Sequence, residues 1–369
     1  MDNKNSKLFQ RVLCKLSHSQ TGRRRGRHRP RRAAPAGGET NRLHFGVHLI
    51  PTFIKSIQKG SFILMMFAGV LLIQEAKAQR PDLFAAVKSN NIKEVKSLLD
   101  KGADLNAYDD DSDNVLINAA LYASADCMRL LLQKKANPNL KNKFGQTPLM
   151  YCTYEMDKMK LLLQYGADIN AKSNSGNTPL LIACIGYGQY ENIKFLIDKG
   201  ADPLATNNKI TSLMRAVQSG DTMTVHLLIG KGVVVNENPW GYTALMFAAR
   251  YANWPCVFSL LDNGADPNKA DTVSGQSPLL WAAEFNNIEA VKVLLKQTKN
   301  INTIDSIKGM TPLMWAVYNE HDNPQIIQAL LDKGALVNIK AKDGSTALSW
   351  ALKKGNTATV ALLRKAGAE

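Results

Sequence analysis

The chain has 369 residues, five Cys, and 46 Lys+Arg against 31 Asp+Glu, a formal charge of +15. That length allows two or three ordinary domains or one extended array. Residues 1–78 hold 15 basic and 3 acidic side chains and the rest keeps 31 against 28, so the main body is close to neutral and loses most of the case for a nucleic-acid partner.

Residues 1–46 carry Arg23, Arg24, Arg25, Arg27, Arg29, Arg31 and Arg32 within ten positions. A segment so charged and so poor in apolar runs buries too little surface to fold alone, which predicts a disordered Arg-rich extension. Residues 47–78 read as a signal peptide: Lys55 and Lys59, an apolar run from Phe62 to Ile73, then Ala76-Lys77-Ala78 before Gln79. A positive flank, a short apolar core and a small-x-small site are what a signal peptidase cuts, here between Ala78 and Gln79, leaving a periplasmic or secreted product. The run is shorter than the roughly 20 residues that span a bilayer, so no stable membrane span is expected after cleavage. More than 50 residues before such a core is abnormal for export, and a translation start near Val47 or Leu49 would account for it. The rival reading makes Arg23 to Arg32 a nuclear-localisation or nucleic-acid tail.

Residues 79–369 repeat. Thr147-Pro148-Leu149 is echoed by Thr178-Pro179-Leu180, Ser277-Pro278-Leu279 and Thr311-Pro312-Leu313, with looser copies at Thr211, Thr243 and Thr346 and degenerate ones at Pro81 and Asn114. These nine anchors are spaced 31 to 35 residues apart. A Leu-Leu or Leu-Ile pair follows each, as at Leu98-Leu99, Leu227-Leu228 and Leu330-Leu331, and then a loop such as Gly166-Ala167-Asp168-Ile169-Asn170 or Gly264-Ala265-Asp266-Pro267-Asn268. Thr caps a helix and Pro suits its first turn. Gly supplies the left-handed stop of a second helix that carries apolar residues at helical spacing, such as Ile288, Val291, Leu294 and Leu295. One such unit cannot bury its apolar face, so neighbours must stack.

These residues resemble the ankyrin-repeat family, in its secreted or periplasmic bacterial type, from about Arg80 to Glu369. The resemblance implies an all-α solenoid of about nine helix pairs with hairpin-like fingers, and protein–protein recognition without catalysis. One departure stands out. The slot after Thr-Pro-Leu, often a His that ties neighbouring turns in the family, holds Met150, Leu181, Met214, Met246, Leu280, Met314 and Ser349, exchanging polar tethering for packing.

The chain offers little for chemistry. Only His226 and His321 lie in the array, about three repeats apart, so no His-based metal site or catalytic dyad is expected within the monomer. There is no phosphate loop, no H-E-x-x-H and no Cys-x-x-Cys, and no cofactor is expected. Asp109, Asp110, Asp111 and Asp113 lack the Gly and distal Glu of an EF-hand loop and read as an exposed, solvated finger. Cys127 and Cys256 share an inward position in distant second helices, while Cys152 and Cys184 replace small residues of adjacent first helices. All four read as buried free thiols, because stacked helices lie farther apart than a disulfide reaches.

What remains is surface. The fingers and the ends of the first helices need not pack the core, and there aromatics and Arg, the residues of interface hot spots, gather between Trp240 and Tyr318. Candidate partner-binding residues are Trp240, Tyr242, Arg250, Tyr251, Phe285, Met310 and Tyr318. Gly241 should hold Trp240 and Tyr242 together on a stiff tip. Tyr251, Phe285 and Tyr318 should form a row with Arg250 beside it, while Trp281, Trp315 and Trp350 fill the core. Extra residues around Val273, Ile307 and His321 to Pro324 fall nearby, as adaptation to a partner requires.

Overall fold

The computed structural model describes residues 82–207, 209–318 and 323–369. The Arg-rich extension, the signal peptide and the residues Pro81, Asn319 and His321 lie outside the described residues. From Asp82 onward nine helix pairs follow one another, from Leu83–Lys88 with Ile92–Asp100 to Ala347–Lys354 with Thr357–Lys365, numbered here as repeats one to nine. Among the described residues there is no strand, only two isolated bridges at finger bases, Tyr108 with Asn114 and Thr206 with Thr211. No described helix is long and apolar enough to cross a membrane.

The anchors begin the first helices by capping them. Thr178, Thr211 and Thr311 each accept a hydrogen bond from the N–H three residues on, at 3.2 Å, and Asn114 does the same at 3.0 Å. In repeat one the cap is Asp82, which accepts from Phe84 N–H. Thr147 is the exception. Its Oγ1 is buried with no partner, and the helix it opens, Pro148–Tyr151, has only four residues.

The core runs unbroken along the array. It is built from the Leu of each anchor, the residues after it, and the inward face of each second helix. Met150, Leu181, Met214, Met246, Leu280 and Met314 are all buried, so the slot is filled by packing as expected. Polar tethering between repeats has moved elsewhere. Asn139, Asn170 and Asn236 donate to the carbonyls of Gly166, Gly200 and Gly264 in the next loop, at 2.8, 3.0 and 2.8 Å. The same side chains accept from the N–H groups of Asp168, Asp202 and Asp266 at 2.7 to 2.9 Å. An amide carries both a donor and an acceptor, so one Asn clamps two loops where a His would tie two turns.

Second helices of neighbouring repeats touch least between Met156–Gln164 of repeat three and Tyr190–Asp198 of repeat four. Those two repeats also have the shortest first helices, Pro148–Tyr151 and Pro179–Ala183. Tyr154 crosses this seam, its hydroxyl donating to the Ile182 carbonyl at 3.2 Å. The four array cysteines are free and buried, and burial pushes the thiols up to about 11 at Cys127 and Cys256 and about 12 at Cys152 and Cys184.

The acidic finger of repeat two differs from its expected form. Asp113 is buried and accepts from the Asn142 amide at 2.8 Å. Burial raises the Asp109 carboxyl, but the Lys88 ammonium, the Asp113 N–H and the Asn118 amide overcome it and hold it below its usual range. Asp109 therefore organises the finger, and only Asp110 and Asp111 of the run are solvated. Among the described residues no group of three or more His, Cys, Asp or Glu could hold a metal ion.

Candidate protein-binding face

The position four residues after each anchor sets the character of the face. In repeats two, three, seven, eight and nine it points back beneath its own finger, and its polar atom finds a partner there. Asn118 donates to Asp109 at 3.0 Å, and the Tyr151 hydroxyl donates to Gln146 at 2.6 Å. The Trp281 indole donates to Asp271 at 3.3 Å, the Trp315 indole to Asp305 at 2.9 Å, and the Trp350 indole to Ser345 at 2.8 Å. Trp281 and Trp315 are buried and Trp350 is half-buried against the core, as large rings with a satisfied N–H should be.

Asp271 and Asp305 do more than hold the indoles. Asp271 accepts from the backbone of Val273, Ser274 and Gln276, and Asp305 from that of Ile307, Lys308 and Met310. Burial pushes both carboxyls up, but these donors prevail and hold them below the usual carboxylate range. The added residues at Val273 and Ile307 are thus wrapped around an acid and form tight turns.

Above these indoles lies the aromatic row. The Phe247 and Tyr251 rings stack at 6.1 Å, and Trp281 and Phe285 lie 5.9 Å apart. The Arg250 guanidinium spans the two pairs, 5.6 Å from Tyr251, 5.6 Å from Trp281 and 4.7 Å from Phe285. Each contact is a cation–π attraction that holds the Arg over the rings. Beside them burial pushes the Glu284 carboxyl up, although the Gln276 amide donates to it at 2.7 Å. Tyr251 and Phe285 are exposed on their outer faces.

Tyr318 does not continue that pair. It lies seven residues after Thr311, whereas Tyr251 and Phe285 lie eight after their anchors, so its ring sits half-buried between Trp315 and Trp350, 5.4 and 4.8 Å away. Lys308 lies 4.0 Å over its face, and Lys354 donates to its carbonyl. A cleft of about 370 Å³ opens here, between Lys308, Lys342, Tyr318 and Trp350.

The finger tip keeps the two rings flanking Gly241 in edge-on contact, 5.7 Å apart, but gives them different exposure. Gly241 has φ +86°, and a Cβ on it would meet Thr272 Oγ1 at 2.4 Å, so the tip requires glycine. Trp240 is 49% exposed, with Lys209 over its ring at 5.2 Å. Tyr242 instead turns inward and is half-buried, edge-on to Trp281 at 5.1 Å. Met310 corrects the expectation outright: it is 1% exposed and forms the floor of the cleft rather than a contact surface. Both occupy the position just before the anchor, which Gln146, Asn177, Ile210 and Gln276 also fill with buried side chains. The chain there passes under the finger, so a side chain at that position packs inward.

The family model for ankyrin repeats (3 copies) matches in overlapping stretches from residues 83–173 to 279–369. Ankyrin repeat protein nuc-2 of Neurospora crassa is 26% identical over 228 residues, covering 51% of this chain and 21% of that protein. Ankyrin repeat, SAM and basic leucine zipper domain-containing protein 1 of Rhinolophus ferrumequinum is 33% identical over 108 residues, 27% of this chain and 22% of that protein. The 2-5A-dependent ribonuclease of Mus musculus is 41% identical over 61 residues, 16% of this chain and 8% of that enzyme. The chain spans less than a quarter of the length of each of these three relatives.

Proposed function

The chain belongs to the ankyrin-repeat family, a scaffold for protein–protein contact, and from that premise we propose that it is a non-catalytic scaffold or inhibitor that binds a partner protein after export. The binding face is the concave and finger surface between Trp240 and Tyr318. The observation that carries this reading is the exposed outer face of Trp240, Tyr251 and Phe285, backed by Arg250 and by buried indoles. Rings held on a fixed support give contact area at small entropic cost. The export half of the reading is supported by Phe62 to Ile73 followed by Ala76-Lys77-Ala78. With Gln79 as first residue the partner is an envelope or extracellular protein, including a host protein if the chain acts as an effector. The Arg23 to Arg32 cluster favours a second reading, a nuclear regulator that uses this segment on nucleic acid. N-terminal sequencing of the protein from its native host separates the two: Gln79 supports export, and an intact Arg-rich segment supports the nuclear role.

The face is tested once a partner is recovered by pull-down with the full chain. Trp240→Ala and Tyr251→Ala should each weaken binding about tenfold or more, about 1.4 kcal/mol, and leave the thermal midpoint nearly unchanged. Replacing Lys141 or Lys172, on fingers at the other end, should do little. If the aromatic changes lower the midpoint and leave affinity intact, the rings serve the fold and the face is wrong.

A further inference from the structure

Arg215 occupies the slot four residues after Thr211, the same slot as Asn118, Tyr151, Trp281, Trp315 and Trp350. In those repeats the polar atom of the slot is answered by the finger. In repeat five (Ser212–Ser219 and Thr222–Gly230) it is not. The finger position that holds Asp109, Asn142, Asp271 or Asp305 elsewhere is Thr206, whose hydroxyl donates to the Ile210 carbonyl. The next residue, Asn207, spends its Oδ1 on the N–H groups of Lys209 and Ile210 and its amide on Asn177. Arg215 is left 8% exposed, with Nε sealed from solvent and without a hydrogen-bond partner, and it makes no ion pair with any described residue. A guanidinium enclosed without a counter-charge is a cost to the fold that an apolar side chain would not incur.

Its electrostatic surroundings reach the proposed face through Tyr251. The groups that act on it electrostatically are Cys184, Tyr251 and Tyr154, none of them a carboxylate or a second cation. Tyr251 belongs to the aromatic row. Tyr154 reaches over from repeat three because residue 186 is glycine: a Cβ there would lie 2.7 Å from the Tyr154 ring. Burial draws the guanidinium's affinity for its proton down, with the thiol and the two phenols opposing that, yet an Arg keeps its charge at neutral pH.

We infer that Arg215 is the receptor for a carboxylate of the bound protein, an Asp or Glu side chain. The planar fork of the guanidinium matches a carboxylate with two parallel hydrogen bonds. One cation balances one monoanion, whereas a phosphate dianion would leave a charge uncompensated. The inference rests on the proposed binding face, and it names the chemistry that the partner must bring to it.

The test needs no partner, so its failure is distinct from failure of the aromatic face. In the full-length protein labelled with ¹⁵N-arginine, the Nε–Hε resonance of Arg215 is assigned by its loss in Arg215→Lys. It is then titrated with N-acetyl-glutamate amide and, separately, with inorganic phosphate at matched ionic strength. A saturable shift with the carboxylate that exceeds the response to phosphate is expected. In parallel, Arg215→Met should keep or raise the thermal midpoint, because it removes an unpaired buried charge. No carboxylate response, an equal or larger phosphate response, or a midpoint that falls by more than about 4 °C would each overturn the assignment.

Discussion

Repeats six to nine place Phe247, Trp281, Trp315 and Trp350 four residues past the anchor, whereas repeats two to five place Asn118, Tyr151, Ile182 and Arg215 there. The helix pairs around these side chains are the same. In the later repeats the ring fills the space beneath the finger, its N–H is held by the finger where it has one, and its outer edge supports a second ring at the surface. In the earlier repeats the slot is smaller or polar, and the surface above it carries few rings, with Tyr154 lying over a glycine. An exposed aromatic row is therefore an outgrowth of the core beneath it, and it appears only where that core is aromatic.

The largest effect should come from removing a buried indole. Trp315→Ala should cost about 3–5 kcal/mol by chemical denaturation, through the lost ring and the cavity it leaves. Ile182→Ala, in the same slot of the other half and with no hydrogen bond to lose, should cost less. Equal costs would break the distinction between the two regions.

Next in size is the acid that holds the indole. Asp305→Asn weakens one indole and three backbone hydrogen bonds at once and should cost about 1–3 kcal/mol at neutral pH. The carboxyl is held below its ordinary value of 3.8 in the folded chain. Its contribution is therefore present above about pH 3.8 and is lost as pH falls through the lower folded value. Acid titration of stability should show a shallower loss in Asp305→Asn than in the unaltered protein, and an identical acid limb would show that the charge does not matter.

The smallest effect should distinguish one anchor from another. Thr311→Val removes a working cap and should cost about 1 kcal/mol. Thr147→Val replaces a buried hydroxyl that has no partner and should change stability by no more than about 0.5 kcal/mol, in the stabilising direction if at all. A loss at Thr147 as large as at Thr311 would mean that its hydroxyl is engaged after all.

The array itself was legible because stacking imposes a period. Thr-Pro-Leu, the paired Leu and Gly-Ala-Asp recur wherever a cap, an inward helix face and a left-handed stop are needed. Of the candidate site, Trp240, Arg250, Tyr251 and Phe285 lie on the surface. Met310 and Tyr242 pack inward although they belong to fingers, because the residue before the anchor is buried in most repeats. That signal is in the sequence, in the run of Ile210, Gln276 and Met310 at one offset. Tyr318 leaves the row because it stands one residue nearer its anchor than Tyr251 and Phe285 do. The isolation of Arg215 was not legible at all. It depends on knowing that the slot four past the anchor is answered by the finger, which only the three-dimensional pairing of Trp281 with Asp271 and Trp315 with Asp305 reveals.

The loose seam between repeats three and four has a mechanical consequence. A solenoid behaves as springs in series, all carrying the same load, and the softest takes most of the strain. Here that link is where the second helices touch least and where Tyr154 is a cross-tie. Under load, strain should gather at this link before it reaches the rows beyond Trp240. Tyr154 also acts electrostatically on Arg215, so the charge state around that guanidinium and the tie across the seam are coupled.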